Sequence, residues 1–321
     1  MKKIILFIVI SNIIMLIISC KNDNREQSNS QVETRNMLGN FDISKNDSII
    51  IFSMYTKNGS SIYQMNIDGT EQKKIINSNK DFSFFLPKFS KDGKKIVFNK
   101  CYRKNALISE ICIANSDGSE IEQLTNMKEN ITDAIFSSYS NEIFFFKATE
   151  YSNYSPLAPK QAHGFDIYSL DLETKEVKKI SKLNAYGLYY LSEYDSTKLL
   201  ITIKGGYDGG IFLCQKEPFK LLKRIIPKNN PINDPSSYYA VAYSAIFNIM
   251  VFITPYQLYS MKMSDSIATL LYNKDQPVYV ESICLFNSQP RVLFQKRDVL
   301  SLYSINIEGT GLAEIPIIID K

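Results

Sequence analysis

The sequence contains no tryptophan, a single histidine and only 13 glycines among 321 residues. The lone histidine, His163, excludes a zinc site built on two imidazoles. A Ser-His-Asp triad would have to use it, and no Gly-x-Ser-x-Gly elbow accompanies it. Neither sign of charge is in excess: 37 Lys and Arg against 33 Asp and Glu give a net +4, which falls to near +2 without Lys2 and Lys3. Nucleic-acid binding needs a basic stripe that such a balance does not supply. No stretch fits an EF-hand calcium loop. The one glycine-rich run, Gly205-Gly206-Tyr207-Asp208-Gly209-Gly210, is not followed by the Lys-Ser/Thr and helix of a phosphate loop, so it reads as a tight hairpin tip. No catalytic residue, cofactor or metal is expected.

Long apolar runs are also scarce, and the only one opens the chain. Ile4–Ser19 follows Lys2 and Lys3, is interrupted by Ser11 and Asn12, and falls short of the roughly 20 apolar residues that span a bilayer. That is the layout of a secretory signal peptide. Its end, Ile17-Ile18-Ser19-Cys20, resembles a bacterial lipobox. The resemblance implies cleavage before Cys20 and a lipid on its sulfur, an anchor in which each buried methylene contributes about 0.8 kcal/mol. An uncleaved anchor or a plain secretory signal is the alternative. Residues 21–36 are polar and of mixed charge, too poor in apolar surface to fold, and read as a tether. The expected organisation is a signal peptide over 1–19, a lipidated Cys20 and tether over 20–36, and a folded domain over 37–321. Lys21 is not the aspartate of an inner-membrane retention signal, so an outer-membrane lipoprotein is expected, with the periplasmic face and the cell surface both open.

What the sequence has in abundance is Tyr (20) and Phe (19), mixed with Ile and Val in short runs that favour strands. These runs repeat. YQMNIDGTEQKKI (63–75) returns as CIANSDGSEIEQL (112–124), and the first residue of that unit recurs as Tyr63, Cys112, Tyr168, Phe212, Tyr259 and Tyr303, spaced by 49, 56, 44, 47 and 44 residues. A second signal precedes each, as in ISKNDSIIIF (43–52) and FSKDGKKIVF (89–98). One unit reads as strand A ending near Phe89, a turn at Lys91-Asp92-Gly93, strand B over Lys95–Asn99, a tip loop near 104–109, strand C over Glu110–Ala114, a turn at Asp117-Gly118, and strand D near Ile121–Leu124. Asp-Gly suits such turns because glycine tolerates positive φ and aspartate bonds its own backbone. A four-stranded meander of about 45 residues is a propeller blade, and six copies predict an all-β, six-bladed β-propeller. The tail LAEIPIIIDK either finishes blade 6 alone or is joined by a strand from around Gln31–Met37.

FSKDGKKIVF followed by IANSDGSEIEQLT resembles the TolB-type (WD40-like) propeller repeat. Blades 1, 2 and 6 match it best, at Asp68-Gly69-Thr70, Asp117-Gly118-Ser119 and Glu308-Gly309-Thr310. Blades 4 and 5 depart, with Lys216-Glu217-Pro218 and Ser264-Asp265-Ser266 in that place. The family's α/β domain has no room in residues 21–36, so the resemblance carries the propeller and not an envelope-assembly role.

Cys101 and Cys112 fall on strands B and C of one blade, where a disulfide competes with a buried free thiol as the expectation. Asp47-Ser48-Ile49, Asp195-Ser196-Thr197 and Asp265-Ser266-Ile267 resemble an O-glycosylation sequon, and sit where turns are required. The irregular segments cluster. Ala148–Gly164, Gly205–Gly210 and Pro227–Ser237 all belong to B–C tips or D-to-A connections, which share one face. Long loops in compact domains are often functional. The candidate binding face is Tyr151, Tyr154, His163, Tyr207, Asp208, Asp234, Tyr238 and Tyr239; the alternative is tolerated insertions without a ligand. The expected function is a non-catalytic, lipid-anchored binding module for an envelope protein partner. A glycan or small-ligand receptor is the alternative, then a propeller hydrolase or lactonase.

Overall fold

The computed structural model describes residues 36–153, 159–205, 208–272 and 280–318. The signal peptide, Cys20 and most of the tether lie outside the described residues, as do Tyr154 and Tyr207. The chain folds into six four-stranded antiparallel sheets. Blade 1 is β1 (Met37–Ile43), β2 (Ile49–Thr56), β3 (Gly59–Asn66) and β4 (Lys73–Ile76). Blade 2 is β5 (Phe82–Phe89), β6 (Lys95–Tyr102), β7 (Asn105–Asn115) and β8 (Glu122–Gln123). Blade 3 is β9 (Ile131–Phe136), β10 (Glu142–Ser152), β11 (Gln161–Asp171) and β12 (Val177–Lys179). Blade 4 is β13 (Gly187–Asp195), β14 (Lys198–Lys204), β15 (Gly210–Gln215) and β16 (Lys220–Arg224). Blade 5 is β17 (Tyr239–Ser244), β18 (Ile249–Ile253), β19 (Leu258–Lys262) and β20 (Ala268–Tyr272), and blade 6 is β21 (Val280–Leu285), β22 (Arg291–Lys296), β23 (Ser301–Asn306) and β24 (Ala313–Pro316). The first strand of each blade touches the first strand of the next, and β21 touches β1, which makes a six-bladed propeller around a central channel.

The second strand of each blade is apolar on both faces because another blade covers each face. The run IIIFSMY in β2 is buried from Ile50 to Tyr55, and all of β18 is buried. The core is accordingly divided into clusters at the blade interfaces, one at each and a second small one of Tyr55, Phe85 and Cys101 between blades 1 and 2. Ile51, Ile62 and Ile76 meet Phe84, Ile96 and Phe98 between blades 1 and 2. Leu200 and Leu213 meet Met250, Phe252 and Tyr259 between blades 4 and 5. Each large side chain so buried contributes about 1.5–3 kcal/mol, and no blade holds a core without its neighbours.

The repeat is visible in the register. Tyr63, Cys112, Tyr168, Phe212, Tyr259 and Tyr303 pair across the B–C ladder with Phe52, Phe98, Phe145, Ile201, Phe252 and Phe294, the same position in every blade. The Asn-x-Asp-Gly-Ser/Thr turns have one hydrogen-bond pattern. In blade 2, Asn115 N donates to Ser119 O, Gly118 N to Asn115 O, and both Ser119 N and Oγ to Asp117 Oδ1. Blade 1 repeats it with Asn66, Gly69, Thr70 and Asp68, and the Thr70 hydroxyl holds the Asp68 carboxyl below the usual carboxylate range.

Two expectations are corrected, and the cysteines take the free-thiol alternative. The tip of blade 2 is the two-residue Arg103-Lys104, since the ladder runs on to Cys101↔Ser109 and Tyr102↔Asn105. That register sets Cys112 opposite Phe98, away from Cys101, and Cys101, Cys112, Cys214 and Cys284 are free thiols. Burial pushes the Cys112 thiol up to about 12, so it is inert at neutral pH. Much of Ala148–Gly164 is also strand: β10 and β11 pair out to Ser152↔Gln161.

Among the described residues the tail completes its own blade; residues 31–35 of the alternative closing segment lie outside them. β24 pairs with β23, while β1 pairs only with β2 as the inner strand of blade 1. Leu38, Phe41, Phe52 and Met65 pack on Phe286, Leu293, Leu302 and Ile315, and Gln295 Nε2 donates to Leu38 O at 2.9 Å. At the rim, Gln72 Nε2 donates to Pro316 O and Ile318 N donates to Gln72 Oε1.

Candidate functional site

The A-strand starts, B–C tips and D-to-A connections share one end of the propeller. Its most prominent feature there is a ribbon. β10 pairs with β9 only as far as Lys147↔Ile131, yet with β11 to Ser152↔Gln161. Thr149–Ser152 and Gln161–His163 therefore form a two-stranded extension beyond the four-stranded blade.

Two predicted residues lie on this ribbon. Tyr151 Oη accepts a hydrogen bond from Asn130 N at 2.8 Å and its ring lies under Lys160 Nζ. His163 is the direct cross-strand partner of Glu150, with Nδ1 3.2 Å from Glu150 Oε2, and its Nε2 lies 2.7 Å from Ser152 Oγ. The imidazole stacks on Tyr186, at 6.4 Å between ring centres and 9° between planes. Tyr186, which sequence reasoning missed, also lies beneath Lys204 Nζ, and burial lowers the Lys204 pKa to about 8.

The other predicted residues are placed differently. Asp208 is exposed in the blade 4 tip. Asp234 caps the short 3-10 turn Pro235–Ser237, accepting from Ser236 N. Tyr239 begins β17, and its hydroxyl donates to Thr254 O. Tyr238 is not on the face at all. It is 1% exposed, edge-on to Phe252, with its hydroxyl bonded to Asn230 and Ile232, so it pins the blade 4–5 connection. Part of that connection leaves the face too: Lys228 N donates to Ser266 O in the blade 5 turn, and Asn229 pairs with both backbone groups of Ala268. Among the described residues no hydrogen bond or ion pair joins the ribbon to Asp208 or Asp234. The three sequon-like turns use their acids locally or between blades: Asp195 accepts from Thr197 N, Asp265 from Ile267 N, and Asp47 from blade 6.

The second missed feature is the channel on the propeller axis. Each inner strand carries an extra residue relative to its partner, a bulge that bends the strand, and β13 carries two. Leu86, Asp133, Tyr190 and Ala240 take positive φ there. A cavity of about 280 Å³ opens toward the A–B turns and includes Asp42, Lys88, Asp133 and Glu193. Asp42 accepts from Phe89 N at 2.9 Å and from the Cys284 thiol at 3.2 Å, and lies 3.6 Å from Lys88 Nζ. Burial works against the Lys88 charge, but Asp42 outweighs it with help from Asp133, and the pKa rises. At the mouth, Glu193 pairs with Lys216 at 3.2 Å and accepts from Ser137 and Ser138 of blade 3. Among the described residues, no group of three or more His, Cys, Asp or Glu is placed to hold a metal ion, and no helix is long and apolar enough to cross a membrane.

Fold and channel define a six-bladed β-propeller of four-stranded antiparallel blades. No family model matches the chain, and no curated protein matches its sequence. Among solved structures it is similar to TolB from Acinetobacter baumannii, with a TM-score of 0.67 and 15% identity over 85% of this chain and 64% of that one. Thus the chain spans less than two thirds of that relative. It is also similar to an oligogalacturonate lyase in complex with manganese (TM-score 0.56, 10% identity, 87% of this chain and 78% of that one) and to Kuenenia stuttgartiensis hydrazine synthase (TM-score 0.62, 15% identity, 89% and 45%). At such identities the likeness is one of fold.

Proposed function

We propose that this protein is a lipid-anchored, non-catalytic docking module of the cell envelope. It is held to the outer membrane through Cys20 and grips an envelope protein with the end that carries the β10–β11 ribbon. One observation carries this reading. A two-stranded ribbon has little stability of its own in water, yet this one extends past its blade and presents Tyr151, His163 and Lys160 beside Tyr186. Aromatic side chains with polar tips are what protein interfaces enrich.

Photo-crosslinking groups at the exposed Thr149 and Lys160 should trap one envelope protein in near-stoichiometric yield in intact cells. A group at Asp92, at the opposite end, should not. Trimming the ribbon to a short turn after Ala148 should abolish the adduct. Equal adducts from both ends, or none from the ribbon, would end this reading; no protein adduct together with a hit in a glycan screen would favour the receptor alternative.

A hydrolytic reading is favoured by a single constellation, the Glu150–His163–Ser152 hydrogen-bond chain. Its geometry also follows from cross-strand pairing, since Glu150 faces His163 in the register and Ser152 is the next residue on the same face. A fluorophosphonate ester is expected to label the wild type no more than Ser152→Ala. Specific labelling of Ser152 would instead make the ribbon an active site.

A further inference from the structure

On the ribbon side the axis narrows into a second cavity, of about 100 Å³, separate in character from the ion-paired channel mouth. Its wall is aromatic: Tyr55, Phe85, Tyr189 and Tyr190. Two glycines make room for these rings. A Cβ on Gly39 would stand 2.7 Å from the Tyr55 ring, and one on Gly187 2.9 Å from the Tyr189 ring. Two carboxylates reach the cavity, Asp133 and Glu281. Glu281 is matched by Arg297, at 2.5 Å. Asp133 is not matched. Its Oδ2 accepts from Tyr190 N at 3.0 Å, while among the described residues Oδ1 has no hydrogen-bond partner and no cation lies in ion-pair range. Lys88, the nearest candidate, is committed to Asp42 and to Phe41 O. The neighbouring Thr132 Oγ1 is buried and has no partner. With Asp42 set against Lys88 and Glu281 against Arg297, the inner channel is left one negative charge in excess, at Asp133.

We propose that this axial cavity binds a compact organic ammonium group, with Asp133 as its counter-charge, Thr132 Oγ1 as an acceptor and the tyrosine rings as its walls. A carboxylate in a cavity lined by aromatic side chains selects an alkylammonium over a hydrated metal ion, because such a lining accommodates apolar, positively charged groups and supplies few oxygen ligands. The volume admits the head group and a few methylenes. Its source is either a free small amine or a lysyl side chain inserted from a protein. The site stands whether or not the ribbon holds a partner.

Burial raises Asp133 to about 6, and Tyr190 N and Lys88 only partly oppose it. The groups facing it are Lys88 and Tyr190 from the flanking inner strands, Asp42 from β1 and Glu281 with Arg297 from blade 6. An alkylammonium stays charged across this range, so binding is full well above pH 6 and falls as pH drops through that value and Asp133 gains its proton.

The test is calorimetric titration of the full-length protein in detergent with n-butylammonium chloride at pH 7.5, beside butyrate and 1-butanol. We expect saturable binding of n-butylammonium alone, with a dissociation constant of about 1 mM or lower. Asp133→Asn keeps the acceptor for Tyr190 N and tolerates the positive φ, so it should fold and bind at least tenfold more weakly. Thr132→Val should weaken binding about threefold. An acetylated and amidated Gly-Lys-Gly peptide that binds more tightly than n-butylammonium would identify a lysyl side chain as the source; weaker binding would identify a free amine. Absence of saturable binding, equal affinity in Asp133→Asn, or equal heats with butyrate or 1-butanol would overturn the proposal.

Discussion

Asp47→Ala is expected to lower the unfolding free energy by about 3 kcal/mol, with the loss concentrated where the ring closes. Asp47 is 6% exposed and stands at the A–B turn of blade 1 with φ 56°. Its carboxylate reaches across to blade 6, accepting from Asn287 N at 2.7 Å, Ser288 N at 2.7 Å, Ser288 Oγ at 2.5 Å and Asn287 Nδ2 at 3.1 Å. Among the described residues no strand is exchanged between the first and last blades, so this contact, the apolar cluster behind it and the hydrogen bonds of Gln295 and Gln72 hold them together. Alanine would leave two backbone donors and a hydroxyl without their acceptor, each costing about 1–3 kcal/mol where water cannot replace it. Alanine would also tolerate the left-handed backbone less well than aspartate. Asp92→Ala is the control. Asp92 serves the equivalent turn of blade 2 but bonds only inside it, to Ser90 and Lys94. Its loss should cost about 1 kcal/mol or less. Urea denaturation gives the comparison, and amide exchange in β1 and β24 should rise in Asp47→Ala before it rises elsewhere. Equal midpoints for the two variants would show that the closure does not depend on Asp47.

The propeller was readable because its repeat is written in turns and strands that follow local rules. Asp-Gly turns and apolar B strands occupy the same place in the register of successive blades, and the fold needs little else. The binding face was less legible. Tyr238 follows the polar run PKNNPINDPSS, which reads as surface, but its ring is drawn into the blade 4–5 core because the connection doubles back on blade 5. Tyr186 lies in an ordinary D-to-A connection with no local mark, and only the fold brings it to His163. The axial residues were hidden for another reason. Asp42, Lys88 and Asp133 are single polar residues in three strands about 46 residues apart, with no spacing in common with a known motif. Aligning the six inner strands at their bulges would have found them, but a bulge of one residue leaves no mark in composition. Glu110 was obscured similarly. It reads as a strand residue, but it is fully buried and accepts from Thr125 Oγ1, Met127 N and Lys128 N, so it fastens the connection to blade 3.

Gly118→Ala should destabilise the protein by about 3 kcal/mol or more, well beyond the roughly 1 kcal/mol that a positive φ alone costs alanine. Gly93 and Gly118 are the two glycines of blade 2, with φ of 75° and 87°. Their surroundings differ. A Cβ on Gly93 would meet nothing nearer than Lys45 Cβ at 3.9 Å, whereas one on Gly118 would stand 2.4 Å from the carbonyl oxygen of Ile75. Ile75 belongs to β4 of blade 1, and the same docking recurs around the ring. Gly69 of blade 1 lies against Pro316 of blade 6, and Gly309 of blade 6 against Leu270 and Leu271 of blade 5. The C–D turns of blades 1, 2 and 6 thus rest on the outer strand of the preceding blade, so the repeated glycine is an interface requirement as well as a turn requirement. Blades 4 and 5 can dispense with it because other contacts fill that place. Glu217, beside a cis Pro218, pairs with Lys178 of blade 3 at 2.7 Å, and Lys228 and Asn229 bond the blade 5 turn. Denaturant midpoints for Gly93→Ala and Gly118→Ala separate the two causes. If both fall by about 1 kcal/mol, the backbone conformation alone explains the repeat; a much larger loss at Gly118 means that the motif is selected by the packing of one blade on the next.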